Sequence, residues 1–391
     1  MPRSEANRLR PKIGLLTTGH AYYWSQFPSL KDKGLRMQAK LCEILETIGD
    51  VLTPGLVDTI EESRRAGETF QREKVDIVFV FPLGYCTGMV MIPAIKDLQV
   101  PVRILNAHED RRYDYPSADT AQYLHHEGVC CIPEFSGTLV GIGKKFRVRT
   151  GPFDDERLWN EIRADADGAA TARFFKDMAV GLIGNTYTNM VDMPIDEHRF
   201  LRATGHLLVR PEIEEIKDEF QSVTALELKD MLEEFRTMND VDETVTDEHL
   251  TFSAQAAVAY DKVIHHYDIQ AFGYYWWGKN DLTTQLRAQS SLAVSRLAAL
   301  GRPGVTEGDV KTAMAMKVFD LLGAGGMFVE FFAMDFDDNT ILFGHDGPSN
   351  VNMSNGRPRL MHLDVHHGKS GHALGYRLSD LSRPGDHSQS H

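Results

Sequence analysis

Along the first part of the chain, short unbroken apolar runs alternate with stretches whose apolar residues recur at helical spacing. Lys12–Thr18 is an apolar run that ends in Thr17, Thr18, Gly19 and His20, which predicts a strand feeding a loop. Leu35–Ile48 places Leu41, Ile44, Leu45 and Ile48 on one helical face. Val75–Phe81 and Val100–Leu105 are continuous β-branched and aromatic runs, separated by helix-compatible sequence. Strands with no polar face that alternate with helices predict a parallel sheet covered on both sides. The longest apolar stretch, Val75–Tyr85, contains Asp76 and Pro82 and reads as a buried strand, too short to span a bilayer.

The pattern restarts after about Phe175. Met178–Gly184 predicts a second buried strand, Ile213–Phe235 a single charged amphipathic helix, and Ile269–Trp277 a strand rich in aromatics. Leu286–Leu300 and Val310–Leu322 predict helices stopped by Gly301 and Gly323. From Gly326 the texture becomes antiparallel, with strands separated by Asp-Asp-Asn and Asp-Gly turns. The predicted fold class is therefore α/β. Two doubly wound parallel-sheet domains, 1–176 and 177–325, precede a β-rich, incomplete barrel-like part, 326–391. No repeat of fixed period is present, and the polar stretch Ser382–His391 reads as disordered.

Composition narrows the partners. The 391 residues are 42% hydrophobic and 25% charged, with 56 acidic against 42 basic residues and a net charge of −14. No Lys/Arg cluster interrupts that excess, which argues against a nucleic-acid partner. Met1–Lys12 is polar and lacks the apolar core of a secretory signal. Cys42, Cys86, Cys130 and Cys131 form no CxxC pair and no disulfide framework, so four free thiols and a reducing cytoplasm are expected, with no membrane partner. Phosphate motifs fail on single positions. Gly368-Lys369-Ser370 has Leu363 where a P-loop needs its first glycine, and Gly141-Ile142-Gly143 has Phe146 where a dinucleotide fingerprint needs its third. No GxSxG elbow is present.

The informative chemistry lies between Gly301 and Asn350. Thr306 is placed as the N-cap of a helix with Asp309 at its capping-box position, which puts Glu307 at the helix start. Glu330 is an acid inside the apolar run Met327–Phe336, and His345 ends the next strand. A carboxylate embedded in apolar strand sequence must be paired, protonated or metal-bound. Two carboxylates and an imidazole make a mixed oxygen/nitrogen site suited to Mn²⁺ or Mg²⁺. Such an ion polarises sugar oxygens while a carboxylate moves a proton between adjacent carbons. Spacing alone leaves a second reading for each residue. Glu307 also fits as a helix-dipole partner, Glu330 as a solvent-facing edge residue, and His345 as a turn histidine.

The run Glu307-Gly308-Asp309-x-Lys311-Thr312-Ala313, then Phe328-Val329-Glu330, then Gly344-His345, resembles the active-site spine of the L-arabinose isomerase branch of the L-arabinose/L-fucose isomerases. The likeness extends from about Lys12 to Gly368. It implies two α/β domains followed by a β-barrel-like domain, and a Mn²⁺-dependent (Mg²⁺ or Co²⁺ as alternatives) aldose–ketose isomerase acting on a free sugar through an enediol. Carried over by position, Glu307 and Glu330 are catalytic acids and metal ligands, and His345 is a metal ligand. His20, Tyr85, Met190 and Tyr275 are the candidate substrate contacts, within an aromatic wall Tyr274–Trp277. A homo-oligomer, hexamer or trimer, is also implied.

Family members run on into a complete C-terminal domain with a further histidine ligand, so the 326–391 part is expected to be truncated, with His366, His367 and His372 as possible replacements. The loops Gly19–Tyr22 and Pro82–Tyr85 depart from the L-arabinose pattern, which leaves the sugar open. A sugar-binding or regulatory homologue without turnover is the alternative function.

Overall fold

The computed structural model describes residues 8–275, 281–345, 347–363 and 373–378. The chain divides into two compact units, Leu9–Arg173 and the remainder from Phe174 onward. Each is an α/β structure built on a parallel sheet, as the alternation of apolar runs and amphipathic stretches predicts.

The first sheet holds β1 (Lys12–Thr18), β2 (Asp50–Leu52), β3 (Leu56–Val57), β4 (Ile77–Pro82), β5 (Val102–His108) and β6 (Phe146–Pro152). Its order is β2-β1-β4-β5-β6 with β3 also on β1, and every pairing is parallel. The unbroken apolar run of β4 has a simple cause. Its side chains alternate between two cores, Ile77, Phe79 and Phe81 on one face and Val78 and Val80 on the other. Helix Pro28–Glu46 covers the first face with Leu41 and Leu45, and helices Ile60–Arg72 and Gly128–Gly141 cover the second with Phe70, Phe135 and Leu139. Cys86 and Cys131 lie in that second core as free thiols, like Cys42 and Cys130 elsewhere.

The second sheet holds β7 (Ala179–Ile183), β8 (Leu208–Val209), β10 (Ile269–Tyr274) and β11 (Gly304–Val305) in the parallel order β11-β10-β7-β8. Between β8 and β10 comes β9 (Asp240–Val241). It joins β14 (Arg359–Leu363) and β15 (Ala373–Arg377) in a small mixed sheet, while β12 (Glu330–Asp335) and β13 (Thr340–Gly344) form an antiparallel hairpin. The part after Gly326 is thus β-rich, and no closed barrel occurs among the described residues. No helix of the described residues is long and apolar enough to cross a membrane.

Two expected helices are broken. Ile213–Phe235 is divided into Ile213–Ser222 and Ala225–Met238. Thr224 starts the second helix as N-cap: its hydroxyl accepts from the Glu227 N–H at 3.3 Å, and the Glu227 carboxylate accepts from the Thr224 N–H at 2.8 Å. That Thr-x-x-Glu signal competes with the longer amphipathic pattern and wins locally. Leu286–Leu300 is likewise interrupted at Gln289 and Ser290, between helices Leu282–Ala288 and Ser291–Ala299. The glycine stops hold, with Gly301 at φ 80° and Gly323 at φ 78°.

Asp76, the acid inside the first long apolar run, is buried where β4 begins. Its carboxylate accepts from the Lys12 N–H at 2.8 Å and pairs with Arg173. Removing it leaves the part-buried Lys12 N–H without its acceptor, while the half-exposed Arg173 can return to water. Asp76→Ala is expected to lose about 1–2 kcal/mol in urea denaturation, the order of magnitude for an unsatisfied donor. Asp76→Asn, which keeps an acceptor for Lys12, should lose less.

Candidate metal centre

The candidate site grows from the carboxyl ends of the second sheet, where open parallel sheets bind ligands. Gly304 and Val305 of β11 pair with Phe272 and Gly273 of β10. The chain then makes a single turn, Thr306–Gly308, before helix Val310–Leu321. Asp309, not Thr306, caps that helix: its Oδ1 accepts from the N–H groups of Lys311 and Thr312, each at 3.1 Å. Glu307 therefore does not sit on the first helical turn. It lies in the preceding turn at φ 63°, followed by Gly308 at φ 75°.

Packing dictates this turn. A Cβ on Gly308 would come within 2.8 Å of Thr186 Cα and 2.9 Å of Asn185 O, and a Cβ on Gly273 would lie 2.7 Å from the Gly308 carbonyl carbon. The loop after β7 is thus pressed onto the turn, and the Tyr187 N–H donates to Glu307 O at 2.8 Å.

The other two groups arrive on the hairpin. Glu330 opens β12 opposite Gly344, the last residue of β13, so His345 emerges beside it. The His345 ring lies 4.5 Å from that of Phe328, which packs on Ala271, Val305, Ala313 and Met316. Ligand atoms of Glu307, Glu330 and His345 all fall within 4.8 Å of one another, and each residue is half-buried. The three residues singled out in the sequence are brought together. Glu330, the acid inside an apolar run, is half-buried at the start of β12, and the rest of that strand faces solvent.

The electrostatics of this cluster are unbalanced. Burial raises the Glu307 carboxyl above the ordinary carboxylate range, and the neighbouring acids Glu330, Asp309 and Asp192 push it the same way. Glu307 Oε2 is buried without a hydrogen-bond partner. An orphaned acceptor beside a second carboxylate and an imidazole fits a divalent cation that takes two oxygens and one nitrogen.

The candidate substrate contacts fall in both units. In the first, His20 and Tyr85 follow β1 and β4, with ring centroids 5.8 Å apart in a stacked arrangement, and Tyr23 lies 5.0 Å from His20. In the second, Tyr275 is buried directly after β10, its ring 5.5 Å from that of Tyr187. Met190 sits in the loop after β7, its N–H donating to Tyr187 O. Tyr274 belongs to the core and so does not join an aromatic wall. Trp276, Trp277, His366, His367 and His372 lie outside the described residues.

Sequence reading passed over Tyr187, whose only signal is its place in the loop after a buried strand. It also missed a histidine group in the first unit, around a small cavity lined in part by Asn106, His108, His125 and His126 at the ends of β4 and β5. His125 is buried and its Nδ1 has no partner.

Comparison with known proteins finds no matching family model and no matching curated protein. Among solved structures, a carbohydrate transporter from Acidothermus cellulolyticus 11B in complex with myo-inositol aligns over 81% of this chain and 100% of that one. The identity is 13% and the TM-score 0.18, a likeness too slight to carry an argument.

Burial, then Lys33, pushes the His125 imidazole down to about 4 from 6.5. Between those values the unfolded chain binds a proton that the folded chain refuses, so stability falls as pH drops from 6.5 towards 4. The expected loss over that window is up to about 3 kcal/mol. Denaturation curves of His125→Gln should show a flatter acid limb than those of the wild type.

Proposed function

We propose that the protein is a metal-dependent aldose–ketose isomerase acting on a free sugar, an L-arabinose-like pentose or a related aldose. The observation that carries this reading is the convergence of Glu307, Glu330 and His345 within 4.8 Å, with a buried carboxylate oxygen left unpaired. Glu307, Glu330 and His345 would hold Mn²⁺, with Mg²⁺ or Co²⁺ as alternatives. The bound cation supplies Lewis acidity to the sugar's carbonyl and hydroxyl oxygens.

The chain's own groups supply the proton chemistry. Isomerisation moves one proton between C1 and C2 and a second between the two oxygens. Two carboxylates in one cluster can act as a base–acid pair for the carbon-bound proton. The raised affinity of Glu307 for a proton brings it closer to neutral pH, where a general base is most effective. Its left-handed backbone fixes the carboxylate from a rigid turn, which favours orientation over flexibility. Tyr187, half-buried in the same loop and edge-on to the buried Tyr275, offers an aromatic ring suited to the apolar face of a sugar. The resemblance to the L-arabinose isomerase branch implies a homo-oligomer, hexamer or trimer, and the four free thiols fit a reducing cytoplasm.

The test is turnover of a panel of aldopentoses and 6-deoxyhexoses by the purified protein with and without Mn²⁺. Ketose should form only with the metal. Glu307→Gln and Glu330→Gln should each reduce the rate by about 10²-fold or more, the usual scale for losing a general base. Wild-type rates in either variant would remove that residue from the mechanism. Binding of a sugar without any conversion would favour the sugar-binding reading.

A further inference from the structure

Two buried thiols meet where the loop after β4 lies on the start of helix Gly128–Gly141. Cys86 stands in that loop and Cys131 in the first turn of the helix, and neither has exposed surface. Their sulfurs are 3.8 Å apart. The Cys86 N–H donates to Cys131 Sγ at 3.1 Å, and the Cys131 thiol donates back to the Cys86 carbonyl at 3.1 Å. Packing holds this approach. A Cβ on Gly128 would lie 3.1 Å from Pro82 O, and one on Gly84 would lie 3.0 Å from Leu124 O. The missing side chains thus let the loop close on the chain entering the helix. The Gly88 N–H donates to the Glu134 carboxylate at 2.8 Å, a second clamp between loop and helix.

We infer that Cys86 and Cys131 form a reversible oxidation site, a dithiol that a hydroperoxide converts into an intramolecular disulfide. Cys131 is the sulfur that attacks. The Cys86 thiol facing it holds the Cys131 thiol below its ordinary value, while Cys131 and burial push Cys86 up. The Cys131 thiolate takes one oxygen of the peroxide, and the O–O bond breaks. The alcohol (water, for hydrogen peroxide) leaves with the proton that Cys131 released. The Cys86 sulfur then displaces the remaining oxygen from Cys131, and water leaves with the Cys86 proton. Two thiols lose two electrons and the peroxide gains them. The sulfurs must close by about 1.8 Å to reach the length of an S–S bond.

Burial selects the oxidant. A molecule near the size of water reaches the pair on local opening of the loop, whereas a bulky disulfide does not. The site also bears on the candidate substrate contacts of the first unit. Cys86 Sγ is 3.1 Å from the Thr18 hydroxyl, and the two loops that follow Thr18 and precede Cys86 carry the stacked rings of His20 and Tyr85. Closing the S–S bond changes the position of Cys86 relative to Thr18, and with it the loop bearing Tyr85. The oxidation site does not depend on the isomerase reading.

The experiment uses the full chain carrying Cys130→Ser, which removes the exposed thiol without touching the core and leaves three of the four thiols. The reduced protein, freed of reductant, is treated with hydrogen peroxide while folded. Remaining thiols are counted by N-ethylmaleimide capping after unfolding, and a digest is mapped without reduction. Cappable thiols should fall from three to one, Cys42, whose thiol is pushed up by burial and by Glu46. The peptide containing Cys86 should be joined to the one containing Cys131, and dithiothreitol should restore all three thiols. Three cappable thiols after peroxide, or a loss that dithiothreitol does not reverse, would overturn the proposal. So would a link made through Cys42.

Discussion

Two successive residues with positive φ, Glu307 and Gly308, stand between β11 and the helix that follows it. Positive φ at a glutamate is uncommon and costs on the order of 1–3 kcal/mol, so the surroundings must enforce it. They do so from both sides. The loop after β7 presses on Gly308, whose carbonyl carbon in turn occupies the space that Gly273 leaves by having no side chain. Asp309 starts the helix immediately afterwards and prevents the turn from relaxing into it. The strain is therefore held by the sheet itself, and its product is a carboxylate aimed from a rigid point.

What that carboxylate meets is the second half of the account. Glu330 and His345 are 15 residues apart in sequence but adjacent in space, because the hairpin pairs Glu330 with Gly344. Phe328 ties the His345 ring to the same small core that supports β11. The three groups thus reach one point from a turn and two strand ends. Two acids and an imidazole, with one buried oxygen unpaired, are unfavourable together without positive charge. A divalent cation held by the three residues would relieve that imbalance. The same hairpin that brings Glu330 and His345 to Glu307 exposes apolar side chains among the described residues, such as Phe331 and Met334.

Much of this was legible in the sequence, and the reasons differ by element. β1 and β4 could be found because a strand buried on both faces is an unbroken apolar run. The three candidate ligands were legible as residues, since acids beside glycine or within apolar runs are conspicuous, but their local geometry was not. Thr306 and Asp309 are both good caps, and in the fold Asp309 takes the role, its carboxylate accepting from the Lys311 and Thr312 N–H groups. The run around Glu330 is apolar, yet Phe331 and Phe343 face solvent, a matter of tertiary cover that periodicity does not encode. The single long helix predicted over Ile213–Phe235 failed because one capping box outweighed an amphipathic stripe. The histidine group at His108 and His125 was invisible, since its members lie at the ends of different elements.

The central claim is that Glu307, Glu330 and His345 hold one divalent cation. Titration of the metal-free protein with Mn²⁺, followed by the loss of the free-ion electron paramagnetic resonance signal, tests it most directly. The account predicts one Mn²⁺ bound per chain, and loss of that binding in Glu330→Gln and in His345→Phe. Undiminished binding in both variants, or no binding by the wild type, would contradict it.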